Sequence, residues 1–133
     1  MPDTGIPEPV CRFIGAQINS LEQLEVLLLL RRLPEQAWTV EEVSRQLGSS
    51  LMSIASRIDD LAAAGLISRR EGDAGPTYRY EPDDPRVLAL VDGVADAYKV
   101  RRLAVIDLIY GKPGRDIRSF SDAFKITRKK QGS

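Results

Sequence analysis

Apolar residues recur at helical spacing in three successive segments of the chain. Positions three and four apart lie on one face of an α-helix, so each segment is expected to bury one face and expose the other. The pattern predicts helices at residues 20–33, 39–47 and 50–64. Their inward positions, in chain order, are Leu21, Leu24, Leu27, Leu28, Val40, Val43, Leu47, Ile54, Ile58 and Leu61.

Residue types that begin and end helices frame these three segments. Ser20 stands three positions before Gln23, and Thr39 stands three before Glu42. At this spacing each pair can satisfy free backbone groups of a first helical turn. Proline cannot continue a helix, and glycine readily enters the left-handed conformation that follows one. The predicted stops are Pro34, Gly48 and Gly65.

After residue 65 the pattern changes from helical spacing to short strands. Residues 66–70 and 77–81 have strand-like alternation, and the segment between them contains two glycines and a proline. Such a pair predicts a hairpin. A short extended piece at residues 37–38 precedes the second helix. The order helix, strand, helix, tight turn, helix and hairpin predicts a winged helix-turn-helix, which is mainly α with one small β-hairpin.

The segment from residue 20 to residue 82 resembles bacterial winged-helix transcription regulators, MarR-like in the broad sense. The resemblance rests on TVEEVSRQLG at residues 39–48, SIASRIDDLAAAGLISRR at residues 53–70, and a glycine-containing wing that ends in TYRY at residues 77–80. It covers roughly half of the chain. The resemblance implies a domain that binds duplex DNA, with the helix at residues 50–64 in the major groove.

The rest of the chain is predicted to form a flexible arm at residues 1–19, within which residues 11–18 also fit one or two helical turns, and a helical dimerisation region at residues 83–133. Residues 85–110 carry one long apolar stripe at helical spacing, with a mostly polar break at residues 99–102. Gly93, near the middle of the stripe, lowers helix propensity. The pattern is therefore compatible with one long helix, with a kinked helix and with two helices. The length of this stripe favours homodimerisation, and packing over the chain's own winged domain is the alternative. The predicted dimerisation residues are Val87, Val91, Val94, Tyr98, Leu103, Ile106 and Ile109.

Candidate DNA contacts lie on the outward face of the helix at residues 50–64 and on the cations around it. Arg57 is suited to a bidentate contact with guanine, serines can bond to phosphates or base edges, and Met52 can contact a thymine methyl group. Helix capping is an equal alternative role for Ser49 and Ser50. The candidate DNA-binding residues are Arg45, Ser49, Ser50, Met52, Ser53, Ser56, Arg57, Arg69, Arg70 and Arg79.

Charge is unevenly distributed, although the 133-residue chain carries 19 Lys or Arg and 19 Asp or Glu. Residues 71–84 hold one cation and five anions, two of the anions at the predicted wing tip, where they would repel phosphates. Residues 85–133 hold eleven cations and five anions. Many of these cations fall in a predicted last amphipathic helix at residues 115–126 and a basic tail at residues 127–131. We therefore expect much of the phosphate attraction to come from the C-terminal half.

Composition limits the function classes. Apolar residues make up 43% and charged residues 29%, as is typical of a soluble globular protein, and the N-terminus lacks the pattern of a secretory signal. Cys11 is the single cysteine, which favours a reducing cytoplasm. With no histidine and one cysteine, the sequence offers no metal-ligand cluster and no catalytic dyad. We therefore expect no enzyme activity, no cofactor and no metal.

Two functions remain. The first is a cytoplasmic bacterial regulator that binds duplex DNA sequence-specifically as a homodimer at a pseudo-palindromic operator. The alternative is a winged-helix interaction module that binds a partner regulator or the transcription machinery. The acidic wing and the serine-rich, weakly charged helix at residues 50–64 favour this alternative.

Overall fold

Six helices and one two-stranded antiparallel hairpin make up the described part of the chain, residues 5–111 of the computed structural model. The order of elements confirms the predicted mainly α, winged helix-turn-helix fold. No single helix in residues 5–111 is long and apolar enough to cross a membrane, and the pair α1 and α2, which meets these criteria together, is bent by 113°. The elements are α1 (Glu8–Gln17), α2 (Leu21–Arg32), α3 (Val40–Leu47), α4 (Leu51–Ala63), β1 (Ile67–Gly72), β2 (Gly75–Tyr80), α5 (Pro85–Val100) and α6 (Arg102–Tyr110).

The predicted caps form the starts of α2 and α3. The Ser20 hydroxyl accepts a hydrogen bond from the backbone N–H of Gln23 at 3.0 Å, and the Gln23 amide oxygen accepts from the N–H of Asn19 at 2.7 Å. Thr39 and Glu42 make the fully reciprocal pair, at 3.1 and 2.9 Å. Both predicted helix starts are confirmed, with the difference that Gln23 reaches the residue before the cap.

A tight turn joins α3 to α4. Gly48 takes a φ of 71°, the left-handed conformation predicted for the stop of α3. The Ser50 hydroxyl then caps α4 by accepting from the backbone N–H of Ser53 at 3.1 Å. The Ser44 hydroxyl donates to the carbonyl oxygen of Ser49. These contacts fix where α4 begins relative to α3.

The apolar face of α4 lies in the core. Ile54, Ile58 and Leu61 are fully buried, as predicted, and they belong to one cluster that includes side chains from every described helix. The chain leaves α4 through Gly65, whose φ is 78°. The backbone conformation favours glycine, and a Cβ at that position would lie 2.6 Å from a carboxylate oxygen of Asp83, so a larger residue would also displace the Asp83 side chain.

The hairpin extends further toward its tip than the sequence pattern predicts. The strands pair from Ile67 and Tyr80 at the base to two facing glycines at the tip. Trp38 and Tyr78 exchange two backbone hydrogen bonds of 2.7 Å, which confirms the extended piece predicted before α3. The connection between α2 and α3 therefore supports the base of the hairpin.

Residues 8–17 form α1, so the predicted flexible arm over residues 1–19 is wrong for this segment. The helix packs against α5 and α6. The prolines near the start of this segment favour an arm in the sequence pattern. In the first turn of a helix, however, the backbone N–H groups have no partner within the helix, so a proline there removes no helical hydrogen bond. Residues 1–4 lie outside the described range. The buried side chains of α1 are Val10, Phe13 and Ile14.

Residues 85–110 form two helices, α5 and α6, separated at Arg101, which is one of the three alternatives that the apolar stripe allows. Arg101 leaves helical geometry, with φ −125° and ψ 51°, whereas Gly93 lies inside α5. A Cβ on Gly93 would lie 2.6 Å from a methyl carbon of Val10, so this glycine permits close packing of α1 on α5. The break allows α6 to pack against both α1 and α5.

Some predictions concern residues outside the described range. They are the amphipathic helix at residues 115–126 and the basic tail at residues 127–131. Most cations of the C-terminal half lie there as well. These cations are Lys112, Arg115, Arg118, Lys125, Arg128, Lys129 and Lys130.

Candidate nucleic-acid interface

The first turn of α4 carries large apolar side chains on the protein surface. Met52 is 85% exposed, and Leu51 is about half exposed at 51%. The neighbouring Ser50 and Ser56 are exposed as well. Exposed apolar side chains of this size are suited to contact with a partner, and a thymine methyl group in a major groove is one such contact.

Two candidate DNA-binding side chains of α4 converge on Glu22, in the first turn of α2. The Nε–H of Arg57 donates to Oε1 of Glu22 at 3.0 Å, and the Ser53 hydroxyl donates to the same oxygen. The Glu22 side chain is 25% exposed and that of Arg57 is 31% exposed, so the pair is partly shielded from water. Glu22 therefore joins α2 to the helix that carries the candidate base contacts.

Hydrogen bonding holds Glu22 in its charged form. The hydrogen bond from Ser53 makes the largest contribution that lowers the pKa of this carboxyl group from its ordinary value of 4.5, and Ser49 and Arg57 lower it further. Partial burial raises the pKa, but the hydrogen bonds outweigh it. At neutral pH the ionised carboxylate is a strong acceptor for the Arg57 guanidinium.

Arg57 keeps most of its hydrogen-bond donors available. A guanidinium has five N–H groups in a fixed planar fork, and Glu22 accepts from the Nε–H group. The two terminal nitrogens of Arg57 make no hydrogen bond with any residue in the range 5–111. Terminal N–H groups are the ones that pair with O6 and N7 of guanine, so the carboxylate contact orients Arg57 and leaves unoccupied, within residues 5–111, the edge that such a contact would use.

The hairpin carries three arginines. Two of them form ion pairs with carboxylates, one with Glu71 on β1 and the other with Glu81, directly after β2. A terminal nitrogen of Arg69 lies 2.9 Å from Oε2 of Glu71, and a terminal nitrogen of Arg70 lies 3.9 Å from Oε1 of Glu81. All four side chains are more than half exposed. The register places the two arginines on opposite faces of the hairpin. The Nε atom of Arg79 is buried and has no hydrogen-bond partner among the described residues.

Arg45 differs from the paired arginines of the hairpin. It lies in the last turn of α3, is exposed, and makes no ion pair with any residue between positions 5 and 111. An exposed cation without a carboxylate partner is available to a phosphate group. Arg45 therefore stays a candidate for contact with the phosphate backbone.

Sequence reasoning missed Glu22. Its partners Ser53 and Arg57 follow it by 31 and 35 positions, so the contact has no local pattern. In the sequence Glu22 has the signature of an ordinary acidic residue in a first helical turn, where it favours the helix dipole. The one available hint is its place two positions after the cap of α2, and this hint does not indicate a partner.

The predicted dimerisation stripe divides into buried and accessible residues. Val91, Val94 and Ile109 are fully buried in the chain's own core, which corrects their assignment to a dimer face and agrees with the alternative of packing within the chain. Leu103 is 77% exposed and lies next to the exposed Val100, where α5 ends and α6 begins. The partly buried members of the stripe are Val87, Tyr98 and Ile106.

No protein-family model matches the sequence, and no curated protein matches it significantly. Solved structures do match the fold. One is the homodimeric winged helix-turn-helix DNA-binding domain, fragment 1–100, of a possible ArsR-family transcriptional regulator from Mycobacterium bovis. It has 25% identity, covers 68% of this chain and 82% of its own, and has a TM-score of 0.51.

Two further structures match at lower sequence identity. A MarR family protein from Bacillus stearothermophilus has 15% identity, with 92% of this chain and 83% of its own covered and a TM-score of 0.50. A MepR mutant from S. aureus bound to an oligodeoxyribonucleotide has 12% identity, with 84% and 79% covered and a TM-score of 0.51. The chain therefore has the winged helix-turn-helix fold of MarR-like and ArsR-like transcription regulators, as its sequence resemblance predicts.

Proposed function

We propose that the chain is a transcription regulator that binds duplex DNA sequence-specifically as a homodimer. The observation that carries this proposal is the arrangement of Arg57 on α4. Its Nε–H donates to Glu22, while its terminal nitrogens have no hydrogen-bond partner among residues 5–111 and can meet a base. The similarity to a domain described as DNA-binding and to a MepR mutant bound to an oligodeoxyribonucleotide supports it.

In the proposed complex the first half of α4 enters the major groove. Arg57 donates two hydrogen bonds to O6 and N7 of a guanine, and the exposed Met52 contacts a thymine methyl group. Ser56 is exposed on the same helix and is available to a base edge or a phosphate. Ser49, Ser50 and Ser53 make their contacts within the protein, so we assign them to shaping the reading surface.

Phosphate contacts come from cations around α4. Arg45 has no internal partner among residues 5–111 and contacts the backbone directly. Arg69 and Arg70 lie on opposite faces of the hairpin, so one of them exchanges its exposed carboxylate partner for a phosphate, because exposed ion pairs contribute only about 0–1 kcal/mol. Arg79 is the remaining hairpin candidate, and the register places it on the same face as Arg70. These contacts position the protein without reading sequence.

The homodimer is proposed to form at the junction of α5 and α6. Val100 and Leu103, three positions apart in sequence, are 74% and 77% exposed there, and burial of such apolar side chains against a second copy would be favourable. The similar domain from Mycobacterium bovis is described as homodimeric. Two copies would present two α4 helices to successive half-sites of a pseudo-palindromic operator. The proposal involves no catalytic residue, cofactor or metal, and it places the protein in the cytoplasm with the chromosome.

Binding to random-sequence duplex at increasing salt tests this function. We expect binding at low salt that weakens steeply as salt rises, because cations that neutralise phosphates release counterions. A monomer at micromolar concentration in sedimentation would overturn the homodimer. The absence of binding to any duplex at low salt would overturn the DNA function as a whole.

A protein-interaction module is the second candidate. The observation that favours it is the exposed apolar pair Leu51 and Met52 on α4, on a helix whose outer surface also carries Asp59 and Asp60. Such a surface suits a partner with apolar and basic side chains. Failure to bind any duplex at low salt, in a chain that remains folded, would make this the better assignment.

A further inference from the structure

We propose that Glu22 is a positioning residue for DNA reading, which fixes the guanidinium of Arg57 and thereby determines the base that α4 selects. The inference rests on the proposed DNA-binding function and goes beyond it, because it assigns a role in sequence preference to an acidic residue on a different helix. Glu22 itself makes no contact with a base in this proposal.

The geometry separates the two ends of the guanidinium. Glu22 accepts from the Nε–H at 3.0 Å, on the side of the group that faces α2, and no residue of the described range 5–111 accepts from the terminal nitrogens, which can meet an incoming ligand. An arginine loses rotamer freedom when it binds, and this loss reduces affinity. A guanidinium that is already held in place loses less of that freedom. Its approach to a base is also restricted to one direction, which is what discrimination between bases requires.

The Glu22 carboxylate is itself held in place. It accepts the Ser53 hydroxyl in addition to Arg57, so two donors one turn apart on α4 define its position. The turn of α2 that carries it is anchored as well, because the backbone N–H of Leu21 donates to the Tyr110 hydroxyl at 2.7 Å. Arg57 is therefore oriented by a chain of contacts that begins in α6 and passes through the first turn of α2.

An acidic residue in this place has a distinctive effect on binding. A carboxylate near DNA phosphates weakens attraction to every sequence alike. Its removal should therefore raise affinity for random duplex, or leave it unchanged, and at the same time lower preference for the selected sequence. A residue that only stabilises the fold would change both kinds of binding in the same direction when it is removed.

The experiment begins with selection, by the wild-type chain, of its preferred duplex from a random library. Affinities for this duplex and for random duplex are then measured for the wild type, E22A, E22Q, R57A and the double variant E22A/R57A. We expect E22A to lose about tenfold or more in the ratio of the two affinities, since one bidentate contact discriminates by about that factor. E22Q retains an oxygen acceptor and should keep more of the ratio.

A modified base gives the more specific readout. Replacement of the contacted guanine by 7-deazaguanine removes the N7 acceptor, so it should weaken wild-type binding and leave R57A unaffected. For E22A we expect the replacement by 7-deazaguanine to reduce affinity much less than it does for the wild type. For the double variant we expect no reduction, as for R57A. The matched control is E25A, which removes a carboxylate from the same helix that makes no ion pair with any residue in the range 5–111.

The outcomes separate this inference from the proposed function. If E22A and E22Q keep the wild-type guanine penalty, Glu22 has no positioning role, and the DNA-binding function stands. If the wild-type chain binds random duplex but selects no sequence, both the positioning role and the sequence-specific function are overturned. If E25A lowers the affinity ratio as much as E22A does, the effect is one of general charge and the inference is wrong.

Discussion

The α4 helix and the hairpin are the two elements proposed to face DNA, and they hold their arginines in different ways. Arg57 on α4 pairs with Glu22, which lies 35 positions away on another helix, and the pair is partly shielded from solvent. Arg69 pairs with Glu71 on the same strand, and both side chains are more than half exposed. The hairpin has more arginines than α4, but the role of each arginine depends on how its side chain is held and not on how many arginines the element carries.

The difference indicates a division of work. Exposed ion pairs contribute about 0–1 kcal/mol and are readily exchanged for another anion, so the hairpin arginines can move to phosphates. A partly buried, hydrogen-bonded arginine keeps its direction, which suits it to base reading. We therefore expect α4 to determine sequence preference, and the hairpin and Arg45 to determine affinity for DNA of any sequence.

The largest expected effect follows from removal of Arg57. R57A should weaken binding to the selected duplex by roughly tenfold to a hundredfold, because one bidentate base contact contributes about 1–3 kcal/mol of discrimination. Binding to random duplex should change much less. Competition assays with the two duplexes measure both quantities.

R45A is the matched comparison for R57A. It should weaken all duplexes alike and reduce the slope of log affinity against log salt by about one. Equal losses on selected and random duplex in R57A would contradict the division between α4 and the other cations. A change of sequence preference in R45A would contradict it from the other side.

A smaller effect is expected from the acidic hairpin. E71Q removes the carboxylate that lies 2.9 Å from Arg69, so Arg69 becomes available to a phosphate. Binding to random duplex should become several-fold stronger, and the slope of log affinity against log salt should become steeper by up to about one. Sequence preference should stay the same. The measurement is a salt titration by fluorescence anisotropy.

E81Q is the comparison for E71Q. Arg70 and Glu81 are 3.9 Å apart, too far for a hydrogen bond, so the same chemical change should have a weaker effect. If both variants leave binding to random duplex unchanged, the hairpin does not contact phosphates, and the affinity must come from other cations.

The contrast between local and distant contacts also explains what the sequence could predict. The Thr39 cap and the Gly48 stop are local signals, since each acts on residues at most four positions away, and both were predicted. The same holds for the inward face of α4. The contact between Glu22 and Arg57 joins residues far apart in sequence, and no pattern within either helix contains it.

The helical part outside the winged unit was less predictable for the same reason. The start of α1 contains prolines, which are typical of irregular segments. The side chains that α1 buries stabilise it only through packing against α5 and α6, and these helices come much later in the chain. The apolar stripe at residues 85–110 correctly indicated helix, but its period cannot distinguish one helix from two that fold against a third. The helix breaks at Arg101, inside the polar interruption at residues 99–102, and α6 then packs against α1, a tertiary contact that the stripe does not contain.

The exposed Met52 gives a further test of base reading by α4. Replacement of thymine by uracil in the selected duplex removes one methyl group, and burial of one such group contributes about 0.8 kcal/mol, or about fourfold in affinity. We expect this loss at one thymine position for the wild type and no loss for M52A. S56A, which changes an exposed neighbour on the same helix, should keep the wild-type sensitivity. Uracil tolerated at every position by the wild type would remove Met52 from the base contacts.

The smallest expected effect concerns stability against pH and isolates the Glu22 contact without DNA. Hydrogen bonds, foremost that from Ser53, lower the pKa of Glu22 in the folded chain below its ordinary value of 4.5. A carboxyl group with a lowered folded-state pKa stabilises the fold above its unfolded-state pKa, and this contribution is lost as the pH falls through the folded-state value. Urea unfolding should therefore show the wild type losing stability relative to E22Q as the pH falls below about 4.5. E71Q, on the exposed hairpin, is measured alongside as the control for a general loss of one carboxylate. A stability difference between wild type and E22Q that stays constant from neutral pH to acid would mean that the α2–α4 contact does not depend on the charge of Glu22.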